Sequence, residues 1–276
     1  MRRLVIEEPV SRAAVAGWRI GLFSLPVFLA GIVLVRSGSA EFGAGLAVAG
    51  AACVLASAAA ALAVAALSRI WREGRRGLGQ AIRALLVAAA VLAYPGFLAA
   101  RLVFAPYYAD LSTDLTRPPA FSRSAAAMDA RGGRMPEAPD FRVVAFEVPV
   151  RLFPDGAALR QAQRRRLPDL VSRRTDLSAD VIFARSLEIA QAEGWRIVDS
   201  SPPGGRFGMG HLDVVRTTGI LKLPVDMTVR LRIHAEGTTI DVRSVPRYPL
   251  FDAGTGPRSI QRFLEGVAPE EGVPRG

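Results

Sequence analysis

Leu223–Ala235 reads LPVDMTVRLRIHA, and its pattern decides the fold of the second half of this chain. Val225, Met227, Val229, Leu231 and Ile233 fall on one side of an extended backbone. Asp226, Thr228, Arg230, Arg232 and His234 fall on the other. A period of two with one apolar and one polar side predicts a half-buried strand of an antiparallel sheet. Glu236-Gly237 supplies a turn, and Thr238–Val245 returns with Ile240 and Val242 inward.

On the N-terminal side, Arg206–Thr217 reads as a strand whose apolar phase shifts from Phe207/Met209 to Leu212/Val214, which predicts a bulge at Gly210. Pro202-Pro203-Gly204-Gly205 is a turn, and Trp195–Asp199 is a strand with Trp195 and Ile197 on one face. A helix is expected over Ala179–Glu193. Ser178 suits its N-cap, Gly194 its end, and Phe183, Leu187 and Ala190 its buried stripe. Leu170–Thr175 is a short strand, and Ala157–Arg166 a short helix stopped by Pro168. Phe141–Leu152 is an edge strand or extended segment because Pro149 cannot donate to a ladder. Asp110–Asp140 has Pro118-Pro119, Gly132-Gly133 and no sustained period, and reads as a connector. On the C-terminal side, Pro257 opens a last helix with the stripe Ile260, Phe263, Leu264 and Val267. The expected domain is α+β: an antiparallel four- to five-stranded sheet with helices packed on one face.

The first 104 residues follow different rules. Residues 18–35, 42–67 and 84–104 are long apolar runs, and a 21-residue helix spans about 30 Å, roughly a bilayer core. The first is too long for the apolar core of a signal peptide and lacks a prompt small-x-small cleavage site, so a retained helix is expected; Pro26 is tolerable there. Gly43, Gly45 and Gly50 suit close helix packing, although general Ala/Gly enrichment gives the same pattern. Trp18, Phe104, Tyr107 and Tyr108 sit at span ends like an aromatic belt, and Arg101 is near enough to an end to snorkel.

The predicted organisation is therefore a transmembrane domain (1–104), a linker (105–140), an α+β domain (141–268) and a disordered tail (269–276). Arg69, Arg72, Arg75, Arg76 and Arg83 sit between the second and third spans, and Arg2, Arg3 and Arg12 precede the first. The intervening turn, 36–41, is poor in Arg. The positive-inside rule puts the N-terminus in the cytoplasm and the C-terminal domain outside, in a multi-pass cytoplasmic (inner) membrane protein.

Charge supports this division. The net +10 of the 276-residue chain invites a nucleic-acid reading. Residues 1–104, however, hold 11 Arg against 4 Glu, a balance of +7, and residues 105–276 hold 24 Lys+Arg against 21 Asp+Glu, a balance of +3. Most of the excess flanks the spans, so no nucleic-acid partner is expected. Arg164-Arg165-Arg166 and Arg173-Arg174 make a local cluster, either a solvated face or a contact to anionic headgroups. The single cysteine, Cys53, lies in an apolar run and forms neither an intramolecular disulfide nor a cysteine-based metal site.

Three pieces, TDLTRPPAF (Thr113–Phe121), AEGWRIV (Ala192–Val198) and VRSVPRYPLFDAGTGPRSIQRFL (Val242–Leu264), together resemble the bacterial and plastid family called domain of unknown function 1499, over roughly Asp110–Val267. The resemblance implies an envelope-associated domain of unassigned activity, often behind membrane spans. Relatives usually carry a polar loop of the type Gly-Arg-Ser-Asp-x-Gly-x-Asn, then an Arg before the last helix's Ile. Here Asp252 and Gly254 remain, while Pro249, Leu250, Phe251, Gly256 and Ser259 replace the other polar positions.

No catalytic set is expected. His211 and His234 are the only histidines and fit no metal-ligand spacing; a site would need them to meet Asp213 or Asp226. There is no GxSxG elbow, and Gly204, Gly205, Gly208 and Gly210 lack the strand-to-helix context of a phosphate loop. The candidate polar constellation is Asp252 and Gly254 with Arg247 and Arg258, set against a capped turn with a surface ion pair. No cofactor or metal is expected. The expected partners are the lipid bilayer and an envelope protein or lipid ligand. The expected role is a non-enzymatic envelope binding module. The alternative is an envelope enzyme acting on a lipid or cell-wall substrate through the Asp252 loop.

Overall fold

The computed structural model describes residues 9–37, 42–104, 109–137, 142–145, 148–151, 156–204, 208–248, 251–252 and 254–269. Tyr107, Tyr108, Phe207 and the tail from 270 lie outside them, as do the side chains of Arg101 and Phe104. The chain divides into two compact units, Met1–Phe104 and Ala105–Gly276.

The first unit holds three helices, α1 (Arg12–Ser37), α2 (Phe42–Glu73) and α3 (Leu78–Phe104), each long and apolar enough to cross a membrane. Their mutual faces are built from small residues. α1 buries Ala14, Gly17, Gly21, Ser24 and Gly31, while α2 buries Gly45 and a row of alanines from Ala52 to Ala66. Large side chains such as Phe23, Leu29, Val54 and Leu86 point outward, the arrangement a lipid surround favours. A Cβ on Gly31 would sit 2.7 Å from the Ala49 backbone nitrogen, and one on Gly45 2.7 Å from Val35 Cγ2. Gly43 and Gly50, grouped with Gly45 by sequence, face open space. At one end of the bundle the Arg-rich turn after α2 is tied to the approach to α1: Ser11 N donates to Arg76 O (2.8 Å) and Arg76 N to Pro9 O (3.3 Å).

The second unit is α+β. β1 (Leu111–Ser112) and α4 (Ala125–Ala130) are followed by β2 (Arg142–Ala145), β3 (Val148–Arg151), α5 (Gly156–Arg166), β4 (Arg173–Thr175) and α6 (Ala179–Ala192). Then come β5 (Arg196–Ser201), β6 (Met209–Thr217), β7 (Pro224–His234), β8 (Gly237–Pro246) and α7 (Gly256–Val267). The sheet is antiparallel with six strands in the order β1-β8-β7-β6-β5, and β4 also pairs with β8. β1 and β4 are short and share the outer edge of β8 end to end, facing Arg243–Ser244 and Thr238–Ile240 respectively. That shared edge takes the sheet beyond the four or five strands expected.

β7 and β8 alternate as the sequence requires. Val229 faces Val242, and Leu231 faces Ile240. These residues meet Ile182 and Ala190 of α6 and Ile260, Phe263, Leu264 and Val267 of α7, so both helices cover one face. Ser178 caps α6 by accepting from Val181 N. Its buried row is Ile182, Ser186 and Ala190, with Phe183 and Leu187 on the flank, one residue round the helix from the predicted stripe.

Three expectations are corrected. β6 runs in unbroken register along β7 from Met209 to Thr217, so Gly210 is no bulge; the irregularity lies on β5, between Ile197 and Asp199. Met209 simply faces outward, and Gly210, Leu212 and Val214 keep one phase. Within Phe141–Leu152, expected as an edge strand or an extended segment, Arg142–Ala145 and Val148–Arg151 are extended and pair with each other as β2 and β3, not with the edge of the main sheet. Thirdly, the connector is ordered over 109–137 and lies on the polar face of the sheet, which is therefore buried on both sides.

That second interface is held by ionic hydrogen bonds. Asp110 takes a forked pair from Arg243 (2.8 and 2.7 Å), and Asp114 accepts from Arg230 (3.1 Å). Ser122 N donates to Asp213 (2.9 Å), and Ser122 Oγ donates to Asp199. Arg131 pairs with Asp213 and lies 3.6 Å from Asp226. Phe121 sits between the guanidinium groups of Arg131 and Arg243, 5.2 and 5.4 Å from its ring centre. α5 is fastened to β1 through the Gln163 amide, which bonds both backbone groups of Ser112.

Candidate functional site

Asp252 lies between β8 and α7 and is buried. Its Oδ1 accepts from Thr255 Oγ1 (2.8 Å) and its Oδ2 from Gly256 N (3.1 Å), so the carboxylate holds the first turn of α7. Gly254 has φ +72°, the left-handed region that favours glycine, which brings the chain back towards Asp252. The turn does not gather the predicted set. Arg247 reaches the polar face and forks onto Asp226 (2.7 and 2.9 Å), a bond that raises its pKa. Arg258 is exposed on α7.

The arginine that does meet Asp252 is Arg216, with Nη2 3.7 Å from Oδ1. It continues the inward row Leu212–Val214 of β6, opposite Val225, and its side chain is only 5% exposed. Burial lowers its pKa, and the nearby Asp252 charge opposes that shift. Neither Nε nor Nη2 has a hydrogen-bond partner. Arg216 borders a cavity of about 240 Å³ between the end of β6, the start of α7 and the end of α6, lined also by Trp195, Thr255, Ser259, Arg262 and Glu193. Trp195 is half-buried, packs against the core and Phe263 (5.9 Å between ring centres) and forms one wall. Sequence reasoning passed over Arg216, although a cation in the apolar phase of a strand is a signal in itself.

The other acidic groups are committed. Asp241 accepts from Arg230 (3.0 Å), Arg232 (3.1 Å) and Ser172 (2.5 Å). Burial works against the charge of Asp213, but His211, Thr228 and Arg131 outweigh it, and its pKa falls below the ordinary carboxylate value. Asp199 is lowered chiefly by its bond from Ser122. Desolvation resists ionisation of Asp114, yet backbone N–H groups and Arg230 and Arg232 lower its pKa too. His211 Nε2 lies 2.9 Å from Asp213 Oδ1. His234, at the far end of β7, faces Gly237 while His211 faces Arg230, so the two histidines are separated by about 13 Å of strand. Among the described residues no three His, Cys, Asp or Glu side chains gather as a metal site.

Comparison with known proteins gives one match, to the family described as protein of unknown function (DUF1499), over residues 110–267. That span runs from the Asp110–Arg243 pair to the last residue of α7. No curated protein and no solved structure matches the chain. With more than half of its length matched, the chain belongs to the DUF1499 family.

Proposed function

We propose that this chain is a non-enzymatic binding module of the bacterial envelope, held at the cytoplasmic membrane by three spans with its α+β domain outside. One observation carries the choice of binder over enzyme. Among the described residues each of the four buried carboxylates, Asp213, Asp226, Asp241 and Asp252, has an arginine beside it, so none of them stands as an uncompensated acid. A general acid at neutral pH needs a raised carboxyl pKa; the shifts at Asp114, Asp199 and Asp213 run downward. The outward placement is supported by the arginines at the end of the bundle where Arg76 bonds Pro9 and Ser11.

The alternative, catalysis through Asp252, is tested by Asp252→Ala and Asp252→Asn, each expressed to the wild-type level in a strain lacking the chain and challenged with envelope stress. A cap that helps shape a binding site is kept by Asn, whose Oδ1 still accepts from Gly256 N, so Asn restores the strain more fully than Ala, which loses the cap (about 1 kcal/mol) in addition to the charge beside Arg216 that both variants remove. Complete failure of the folded Asn variant would establish the enzyme reading instead.

A further inference from the structure

We propose that the cavity beside Arg216 is an oxyanion site, taking the phosphate or carboxylate group of a ligand whose apolar part lies against Trp195. The inference rests on the binding-module reading and names the chemistry of its ligand. Nε and Nη2 of Arg216 are adjacent on one edge of the guanidinium, and both lack hydrogen-bond partners. That edge offers two parallel N–H groups, the fork that matches two oxygens of a single oxyanion. Buried unsatisfied donors on a charged group are costly, and a bound oxyanion would satisfy both. Asp252 does not fill this role. It stands 3.7 Å from Nη2, beyond hydrogen-bond length, because its oxygens already serve Thr255 Oγ1 and Gly256 N.

The rest of the cavity suits such a ligand. Arg262 adds a second cation from the exposed side of α7, one turn beyond Ser259. Ser259 Oγ donates to Thr255 O (3.0 Å), which leaves its oxygen lone pairs available but no free proton, so the arginines provide the charge. Trp195 and Phe263 form an apolar wall. Among the described lining residues the one carboxylate is Glu193, exposed at the C-terminal end of α6, where its side chain has open solvent to turn into. About 240 Å³ holds a phosphate with a few carbons, not a whole lipid.

Full-length chain in a neutral detergent is titrated calorimetrically with inorganic phosphate and with p-nitrophenyl phosphate. In a second arm it is placed in nanodiscs of phosphatidylcholine with or without phosphatidic acid, and lipid retention is measured. Saturable binding in either arm is expected. Arg216→Gln should weaken it roughly 10- to 100-fold, Arg216→Lys nearly as much because the fork is gone, and exposed Arg262→Gln roughly three- to tenfold. Saturation by soluble phosphate assigns the site to free or small phosphorylated ligands; selective retention of phosphatidic acid assigns it to a lipid headgroup. Absence of binding in both arms, or equal binding by wild type, Arg216→Lys and Arg262→Gln, overturns the site and leaves the binding-module reading standing. Release of nitrophenolate that disappears in Arg216→Lys overturns the non-enzymatic reading and keeps the site.

Discussion

Arg131 lies buried between Asp213 and Asp226 beneath the sheet's polar face, with Phe121 stacked on it. Removing one member of such a buried pair leaves an uncompensated charge, which costs about 3–5 kcal/mol, whereas removing both costs far less. Arg131→Met should therefore destabilise the domain by about that amount in chemical denaturation, and Arg131→Met with Asp213→Asn should recover most of it. Equal loss in the single and double variants would mean that the pairing contributes nothing beyond packing. At this scale the sequence is only partly legible. Asp252 and Gly254 were visible as a loop, but the partner of each arginine was not. Arg247 is five residues from Asp252 in the chain and yet bonds Asp226, because strand register and not sequence distance decides which charges meet.

Elements are legible where burial repeats with a period. β7 and β8 follow from alternation alone, and α7 from its Ile260–Phe263–Leu264–Val267 stripe. The α6 stripe is shifted one residue because a small polar side chain, Ser186, occupies the buried row and bonds Ile182 O (2.7 Å) instead of marking it as apolar. The connector had no such signal. Its docking depends on single contacts, such as Arg131 to a residue 82 positions away and Asp110 to one 133 positions away, and no local period records them. Among the spans, the close crossing of α1 and α2 needs glycine at 31, where a Cβ would meet backbone rather than a yielding side chain. Gly31→Val should force the helices apart at a cost of about 1–3 kcal/mol, read as a lowered melting temperature of the full chain in detergent. Gly50→Val, where nothing lies within 4 Å, should leave it unchanged.

At the scale of the whole molecule, the ionic interface makes stability depend on acid. Asp114, Asp199 and Asp213 have folded pKa values below their ordinary ones. Their contribution is therefore fully present above the unfolded value of about 3.9 and is lost as pH falls through the lower folded values. Melting of the full chain should be nearly flat from about pH 5 to 7 and fall steeply below about pH 4; a fall that begins near neutrality would point to other groups. The three helices suit a bilayer by length and composition, and which side receives the domain decides what it can bind. The decisive measurement is a pair of alkaline phosphatase fusions, after Gly74 and after Pro269, in cells. The enzyme is active only outside the cytoplasm. An inactive Gly74 fusion with an active Pro269 fusion is the expected result, and restricts the ligands of the Arg216 cavity to the envelope. The reverse pattern would contradict it, placing the domain and its arginines against the cytoplasmic leaflet.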